Sequence, residues 1–339
     1  MKTWRVPIGG QIESLQFGDE PPAVLAPGQV RLAMRAASLN FRDLMVVRGW
    51  YPVTDKLPIV PGSDAVCQVL ETGPGVTTVK PGDRVATIFF PHWLDGDVTP
   101  ARVAGALGAG GGVAGAFSEQ IVLPEHSVVK SPAHLDDAQA ATLTCAGVTA
   151  WRALFEVGQV KPGSTVLLLG TGGVSIWALQ LAKAAGCRVI ITSSSDEKLE
   201  RTRALGADLT VNYKAIPEWG AEVRRLTDGA GADLVLEVGG EHTVPQSLAA
   251  VRMGGTVVII GGVSGMGGGI PPRALIVAST RVQGVFVGSR RMHEDLARFV
   301  SVAQIKPVVD RSFALAELPA AYRYFEAGRH FGKVTISAG

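Results

Sequence analysis

Cysteine is scarce in this chain: Cys67, Cys145 and Cys187 are the only three in 339 residues, and they lie far apart. An odd, dispersed set of thiols excludes a disulfide framework and suits a reducing, cytoplasmic compartment. Charge is also sparse, at 18% of residues, and it is balanced, with 32 Lys and Arg against 30 Asp and Glu. The resulting +2, with basic residues scattered and no aromatic side chains interleaved among them, gives no field for a nucleic acid partner. The start, Met1 to Pro7, lacks the apolar core of a signal peptide. Pro162 to Ala182 carries no charge, but its central glycines, Thr171 and Gln180 fit strand, loop and helix better than a membrane span. No membrane partner is expected. His126, His134, His242, His293 and His330 have no spacing that implies a metal site.

What is plentiful is glycine, 42 residues, and apolar side chains, 47% of the chain. That composition describes a globular protein with a generous core, and the length predicts two domains or one large and one small. The glycines gather in loops, most informatively at 170–173. Val166 to Leu169 reads as a short apolar strand, Gly170-Thr171-Gly172-Gly173-Val174-Ser175 as a tight turn, and 176–185 as a helix ending at Gly186. Val189-Ile190-Ile191 follows as a second strand. Strand, glycine loop, helix and strand form the unit that seats a dinucleotide pyrophosphate on a helix N-terminus. Gly170, Gly172, Gly173 and Val174 are the expected phosphate contacts. Ser175 stands where a third Gly would be usual, and its small side chain is a tolerable departure.

The end of the second strand selects the coenzyme. An NAD site places an acidic residue there, roughly 20 residues past the loop, to bind the ribose 2′-hydroxyl. Here Thr192-Ser193-Ser194-Ser195 precedes the first carboxylate, Asp196, and Lys198 follows in the first helical turn. A cation there opposes the helix dipole, a cost that a 2′-phosphate would offset. Ser193, Ser194 and Lys198 therefore point to NADPH. The alternative is a capping box of Ser194 with Glu197 and a solvent-facing lysine; the two can hold together.

Residues 1–145 read as β-rich, with strands at 30–34, 65–70, 85–90 and 119–123 between Pro and Gly turns. The small-residue run 105–115 is a mobile or ligand-facing loop, or plain surface. From Thr149 strands and helices alternate: strands at 166–169, 188–192, 209–212, 234–238, 256–260 and 282–287, helices at 174–185, 196–205, 218–227 and 243–252, with Gly206 and Gly254 as C-caps. This predicts an α/β protein with a doubly wound parallel sheet over 146–288. The tail 289–339, with a helix near 294–304 and a strand at 333–336, is too short for a domain and is expected to complete the first one, leaving the coenzyme in the cleft between the two.

Leu39-Asn40-Phe41-Arg42-Asp43, Pro61-Gly62-Ser63-Asp64, Gly82-Asp83-Arg84-Val85, Ala140-Ala141-Thr142-Leu143, Thr149-Ala150-Trp151, the Thr171–Val174 loop and Gly332-Lys333-Val334 occur in that order. In these motifs the chain resembles the medium-chain dehydrogenase/reductase superfamily along essentially its whole length. The resemblance is to its zinc-independent branch: quinone oxidoreductases, zinc-free alcohol dehydrogenase-like proteins and synthase enoyl reductases. It implies a GroES-like β-rich catalytic domain joined to a Rossmann domain. Zinc-dependent relatives place a Cys just before the Asp at 43, a His-Glu pair where Ser63-Asp64 stand, and a Cys where Cys145 stands. Here Phe41-Arg42 and Ser63 take the first two places, and one Cys and one Asp cannot make a three-ligand zinc site. The four-cysteine structural site is missing as well, since 84–120 contains no Cys. Cys145 is then a small buried hydrophobe.

The resemblance puts Asn40 and Thr149 near the nicotinamide, although Asn40 is also a natural turn residue. Arg42 and Asp43 line the site or form a helix-start ion pair. Tyr213 matches a tyrosine that contacts the adenosine phosphate in quinone oxidoreductases, or is a strand-end aromatic. Lys198 resembles by position a proton-donating lysine proposed for enoyl reductases, but phosphate binding suits it better. Backbone at Gly262, Val263, Val287 and Gly288 should pass the nicotinamide, because strand C-termini form the ligand crevice. Trp50, Tyr51, Phe90, His92 and Trp93 are the aromatic candidates for a planar substrate, unless they merely cover the core. Tyr51 and His92 are the proton-donor candidates among them. The expected activity is NADPH-dependent reduction of a quinone or activated C=C bond without zinc. The rivals are a zinc-free alcohol dehydrogenase or carbonyl reductase, and a non-catalytic NADPH-binding structural or sensor protein. Relatives extend their sheets across a two-fold at the 282–287 strand, so a homodimer is expected.

Overall fold

The computed structural model describes residues 1–7, 10–53, 58–110 and 112–338. Gly111, inside the 105–115 run, lies outside the described residues. The chain divides into two compact units, Met1–Val148 with Val287–Gly339, and Thr149–Phe286.

The first unit holds β1 (Lys2–Arg5), β2 (Gln16–Asp19), β3 (Gln29–Ser38), β4 (Asp64–Thr72), β5 (Arg84–Thr87), β6 (Gln120–Pro124) and β7 (Val128–Lys130). β1 and β2 form an antiparallel ribbon. Val30, Leu32 and Met34 of β3 are buried while Gln29, Arg31 and Ala33 are less so, the period-2 alternation of a strand with one face on a core. The C-terminal segment adds the helices Arg290–Ala303 and Leu318–Glu326 and the strands β14 (Val309–Ala314) and β15 (Lys333–Ser337). The resulting sheet runs β14-β15-β3-β4-β5-β7, with β6 also paired to β3. β15 lies between β14 and β3, so the tail is part of this sheet.

The second unit is a parallel sheet of β8 (Thr165–Leu169), β9 (Arg188–Ser193), β10 (Leu209–Asn212), β11 (Ala232–Glu237), β12 (Val251–Ile259) and β13 (Arg281–Gly284). Its order is β10-β9-β8-β11-β12-β13. The chain winds outward one way from β8 to β10 and the other way from β11 to β13, so the switch point lies between β8 and β11. The strands are near-continuous apolar runs because helices cover them; Val166 to Leu169, Val189 to Ile191 and Leu234 to Leu236 are all buried. The connecting helices are Gly173–Ala184, Asp196–Ala204, Trp219–Leu226 and Val244–Ala250, with Pro272–Ala278 before β13.

Several expectations need correction. The helix assigned to 243–252 ends at Ala250, and Gly254 is no C-cap: it lies inside β12, beside a register shift against β11. The strand assigned to 282–287 stops at Gly284; Val285 still donates to the Ile259 carbonyl at 3.0 Å, and the chain then leaves the sheet. Val287 packs against the first unit's core, so Val287 and Gly288 belong with that unit. The helix Pro272–Ala278, opened by a proline at its first turn, is an element beyond the four helices expected in this unit.

Leu167 is fully buried at the centre of the parallel sheet. Leu167→Ala should cost about 2–5 kcal/mol, read as a lower denaturant midpoint at unchanged slope.

Candidate active site

β8 ends at Leu169, and the helix Gly173–Ala184 starts three residues later. Gly170 holds φ +71°, a left-handed conformation that a side chain would strain. A Cβ placed at Gly170 or Gly172 would meet no atom within 4 Å, so the outer side of the turn is open to a ligand. The turn offers a helix N-terminus of positive partial charge, with Gly173 and Val174 in its first turn and room for a phosphate beside it. These residues fit a dinucleotide. Ser175, at the place of the missing third glycine, is buried, and its hydroxyl donates to the Leu169 carbonyl at 2.7 Å. The serine thus ties the helix to the strand end.

The neighbouring strand end carries the hydroxyls. Thr192 Oγ1 accepts from Gly170 N at 3.4 Å, which joins the β9 end to the glycine turn. Tyr213 N donates to the Ser193 carbonyl at 3.1 Å, bringing Ser193, Ser194 and Tyr213 to one edge of β9 and β10. The Tyr213 side chain is 39% exposed. The helix Asp196–Ala204 is capped by Ser195, whose Oγ accepts from Lys198 N at 3.3 Å, and not by Ser194. Ser194 is therefore not engaged as the cap, and Lys198 stands in the first turn, half-buried. The nearest acid, Asp196, accepts from Asn212 Nδ2 at 2.7 Å.

Past the switch point, Gly262 and Val263 lie in the loop after β12, folded on the turn after β11. Val263 N donates to the Val238 carbonyl at 3.3 Å, and Ser264 N to the Gly239 carbonyl at 2.7 Å. Beneath both lies Glu237, a buried carboxylate that the sequence reading passed over. The available signal was an acid closing the apolar run Leu234-Val235-Leu236, directly before Val238-Gly239-Gly240.

In the first unit, Asn40 precedes the helix Phe41–Val47. Its N–H donates to Asp43 Oδ2 at 2.9 Å, while its side-chain oxygen accepts from Lys333 Nζ at 2.5 Å. Lys333 Nζ also donates to the Leu39 carbonyl at 2.6 Å. Nearby, Asp64 accepts from Ser63 Oγ at 2.6 Å and from Cys145 N at 3.2 Å. Arg42 sits 3.2 Å from Asp43 Oδ1, with its guanidinium 4.7 Å from the centre of the Phe89 ring. Arg42 and Asp43 are thus an ion pair at a helix start, buried together. Burial pushes the Asp43 carboxyl up to about 6, outweighing the opposing pull of Arg42. Burial likewise raises Asp64 above the usual carboxylate range and holds the Cys145 thiol protonated.

This donor set does not fit a zinc ion. Asn40 Oδ1 is taken by an internal ammonium, Ser63 is a neutral hydroxyl bonded to Asp64, and Cys145 is the one soft donor among these residues. Among the described residues no three His, Cys, Asp or Glu side chains gather as metal ligands.

The aromatic candidates separate. Trp50 is 60% exposed, and Tyr51 packs partly buried against the first unit's core. Phe90 and Trp93 are buried core residues, with Trp93 Nε1 donating to the Gly96 carbonyl at 2.9 Å, so packing is the role their surroundings show. His92, between them, is exposed. Thr149 is buried in the short helix Val148–Trp151.

Residues 26–133 match the alcohol dehydrogenase GroES-like domain family, and residues 173–302 match the zinc-binding dehydrogenase family. A zinc-type alcohol dehydrogenase-like protein of Schizosaccharomyces pombe is 44% identical over 324 residues, 94% of this chain and 93% of that protein. The chain belongs to the medium-chain dehydrogenase/reductase superfamily. It is an oxidoreductase of that superfamily, with its GroES-like and Rossmann domains. Among solved relatives, an NAD-dependent alcohol dehydrogenase superposes with a TM-score of 0.90 at 34% identity over 100% of both chains. The 2-octenoyl-CoA carboxylase reductase CinF, solved with NADP and 2-octenoyl-CoA, superposes with a TM-score of 0.87 at 26% identity, covering 99% of this chain and 87% of that one. Among the described residues no helix is long and apolar enough to cross a membrane.

Asp43 gives a pH signature. Its folded value, about 6, lies above the unfolded value near 3.9, so the unfolded state loses this proton first as pH rises. The stability that Asp43 contributes is therefore full below about pH 4 and is lost as pH rises through about 6. Asp43→Asn should remove this dependence: relative to the variant, the wild type loses about 2–3 kcal/mol between pH 4 and 7 in chemical unfolding.

Proposed function

We propose that the protein is an NADPH-dependent, zinc-independent reductase of activated C=C bonds or quinones. The observation that carries the reading is the β9 edge: Ser193, Ser194 and Lys198 stand there with Tyr213 alongside, joined to the Gly170 turn, and the strand end has no carboxylate for a ribose 2′-hydroxyl. Hydroxyl and ammonium donors suit a 2′-phosphate. A relative that holds NADP with an enoyl thioester supports both halves of the reading.

When bound, the reduced nicotinamide supplies a hydride to the electrophilic carbon of the acceptor. The chain's part is the rest. Gly170, Gly172, Gly173 and Val174 would hold the pyrophosphate, and backbone at Gly262 and Val263 would orient the nicotinamide. Negative charge develops on the substrate oxygen as the hydride arrives, and N–H and O–H donors stabilise it where no Lewis acid does. Trp50 offers an aromatic face to a planar acceptor. Tyr51 or His92 returns a proton to the reduced product, by O–H or N–H donation. An enone, enoyl thioester or quinone suits such a site because its conjugation already makes carbon electrophilic. The alcohol dehydrogenase names of relatives favour a second reading, reversible reduction of simple carbonyls.

The test is an acceptor panel of quinones, enones, enoyl thioesters and aldehydes, run with each coenzyme. Turnover of conjugated acceptors with NADPH is expected; turnover of aldehydes alone, or faster rates with NADH, contradicts the reading. Lys198→Ala should raise KM for NADPH about tenfold or more and leave the weaker KM for NADH within about twofold.

A homodimer is proposed on the β13 edge of the parallel sheet. There the helix Pro272–Ala278 leaves Ile276 and Val277 77% and 65% exposed, an apolar face beside an open strand. Light scattering should give twice the chain mass, and a monomer at micromolar concentration would contradict it.

A further inference from the structure

Glu237 closes β11 with its side chain fully buried. Every neighbour before it in the strand from Leu234 is apolar, and a leucine at this position would pack the sheet without the cost of burying a carboxylate. What the carboxylate gathers explains its presence. Oε1 accepts from Gly239 N at 2.7 Å, Gly240 N at 3.0 Å and Thr243 Oγ1 at 2.6 Å. Oε2 accepts from Ser247 Oγ at 2.5 Å. The main-chain carbonyl of the same residue accepts from Ile260 N at 2.8 Å and Gly261 N at 3.4 Å. One residue thus holds the turn after β11 by its side chain and the start of the loop after β12 by its backbone.

The two segments are then joined directly. Ser264 donates to the Gly239 carbonyl through both N, at 2.7 Å, and Oγ, at 2.8 Å. Glu241 N donates to the Gly265 carbonyl at 3.0 Å. Gly240 holds φ +94°, and a Cβ there would lie 2.2 Å from the Gly265 carbonyl oxygen, so the segments meet backbone to backbone. The result is a fixed backbone surface at the C-terminal ends of β11 and β12, on the far side of the switch point from Ser193, Lys198 and Tyr213. A dinucleotide whose pyrophosphate sits on the Gly170 turn, with its adenosine end at β9, lays its other half there.

We infer that Glu237 is a positioning residue that fixes the Gly239–Gly240 and Gly261–Ser264 backbone against which the nicotinamide half of the coenzyme binds. The inference rests on the coenzyme reading proposed above. The carboxylate itself faces the loop donors, and its effect on the coenzyme is carried by the backbone it holds.

The experiment compares binding of NADPH with that of 2′,5′-ADP, which keeps the adenosine and 2′-phosphate but lacks the nicotinamide, to the full chain. Glu237→Ala should weaken NADPH about tenfold or more while leaving 2′,5′-ADP within about twofold. Glu237→Gln should recover NADPH to within about threefold, since its carbonyl oxygen still accepts from Gly239, Gly240 and Thr243 and its amide can donate to Ser247 Oγ. If Glu237→Ala does not fold, Thr243→Val and Ser247→Ala, which each remove one donor, should show smaller losses confined to NADPH. Equal weakening of both ligands, or an unchanged affinity for NADPH, overturns the inference while leaving the coenzyme reading intact. A wild type that binds neither ligand overturns both.

Discussion

The second unit depends on one topological constraint, the reversal of winding between β8 and β11. Two adjacent parallel strands whose connections leave in opposite directions cannot both be covered at their C-terminal ends, and a crevice is left there. The second unit places irregular segments at that edge: the glycine turn at Gly170, the hydroxyl run at Ser193 and the joined loops at Gly239 and Gly262. The buried apolar strands beneath give these segments a firm base. The local devices that hold the edge are hydrogen bonds from buried polar atoms, from Ser175 to Leu169, from Gly170 to Thr192, and from four donors to the Glu237 carboxylate.

The first unit solves a different problem, that of burying charge. Asp43, Asp64, Arg42 and Lys333 are all withdrawn from water and lie near one another. Lys333 comes from the C-terminal strand and reaches Asn40 and Leu39, so the tail both completes the sheet and supplies a cation to this polar centre. A lone buried carboxylate would simply take up a proton, and two close together intensify that tendency. The two cations and the bonds from Asn40, Ser63 and Cys145 oppose it. Asp43 is paired with Arg42, and Asp64 accepts from the Ser63 hydroxyl and the Cys145 N–H.

Much of this was legible in the sequence because it is local. The strand, glycine turn and helix at 166–184 follow from an apolar run and glycine spacing, and the motifs from Asn40 to Lys333 carry the superfamily. What escaped was set by tertiary structure. Gly254 reads as a helix stop, yet β11 draws Val251 into the sheet and the glycine sits within a strand. Ser194 and Ser195 are equivalent caps by composition, and only the backbone geometry selects Ser195. Phe90 and Trp93 read as site aromatics because a sequence does not say which face of a loop is covered. Glu237 escaped because half its partners are backbone N–H groups, which leave no mark in a pattern of side chains, and the others, Thr243 and Ser247, are brought to it only by the turn and helix that follow β11.

The most direct test of this account is a crystal structure of the protein grown with saturating NADPH. The pyrophosphate is expected within hydrogen-bond distance of the Gly173 and Val174 N–H groups, and the 2′-phosphate on Ser193, Ser194 and Lys198. A coenzyme whose pyrophosphate lies away from the Gly170–Val174 turn, or whose ribose 2′ position faces none of those three side chains, would contradict it.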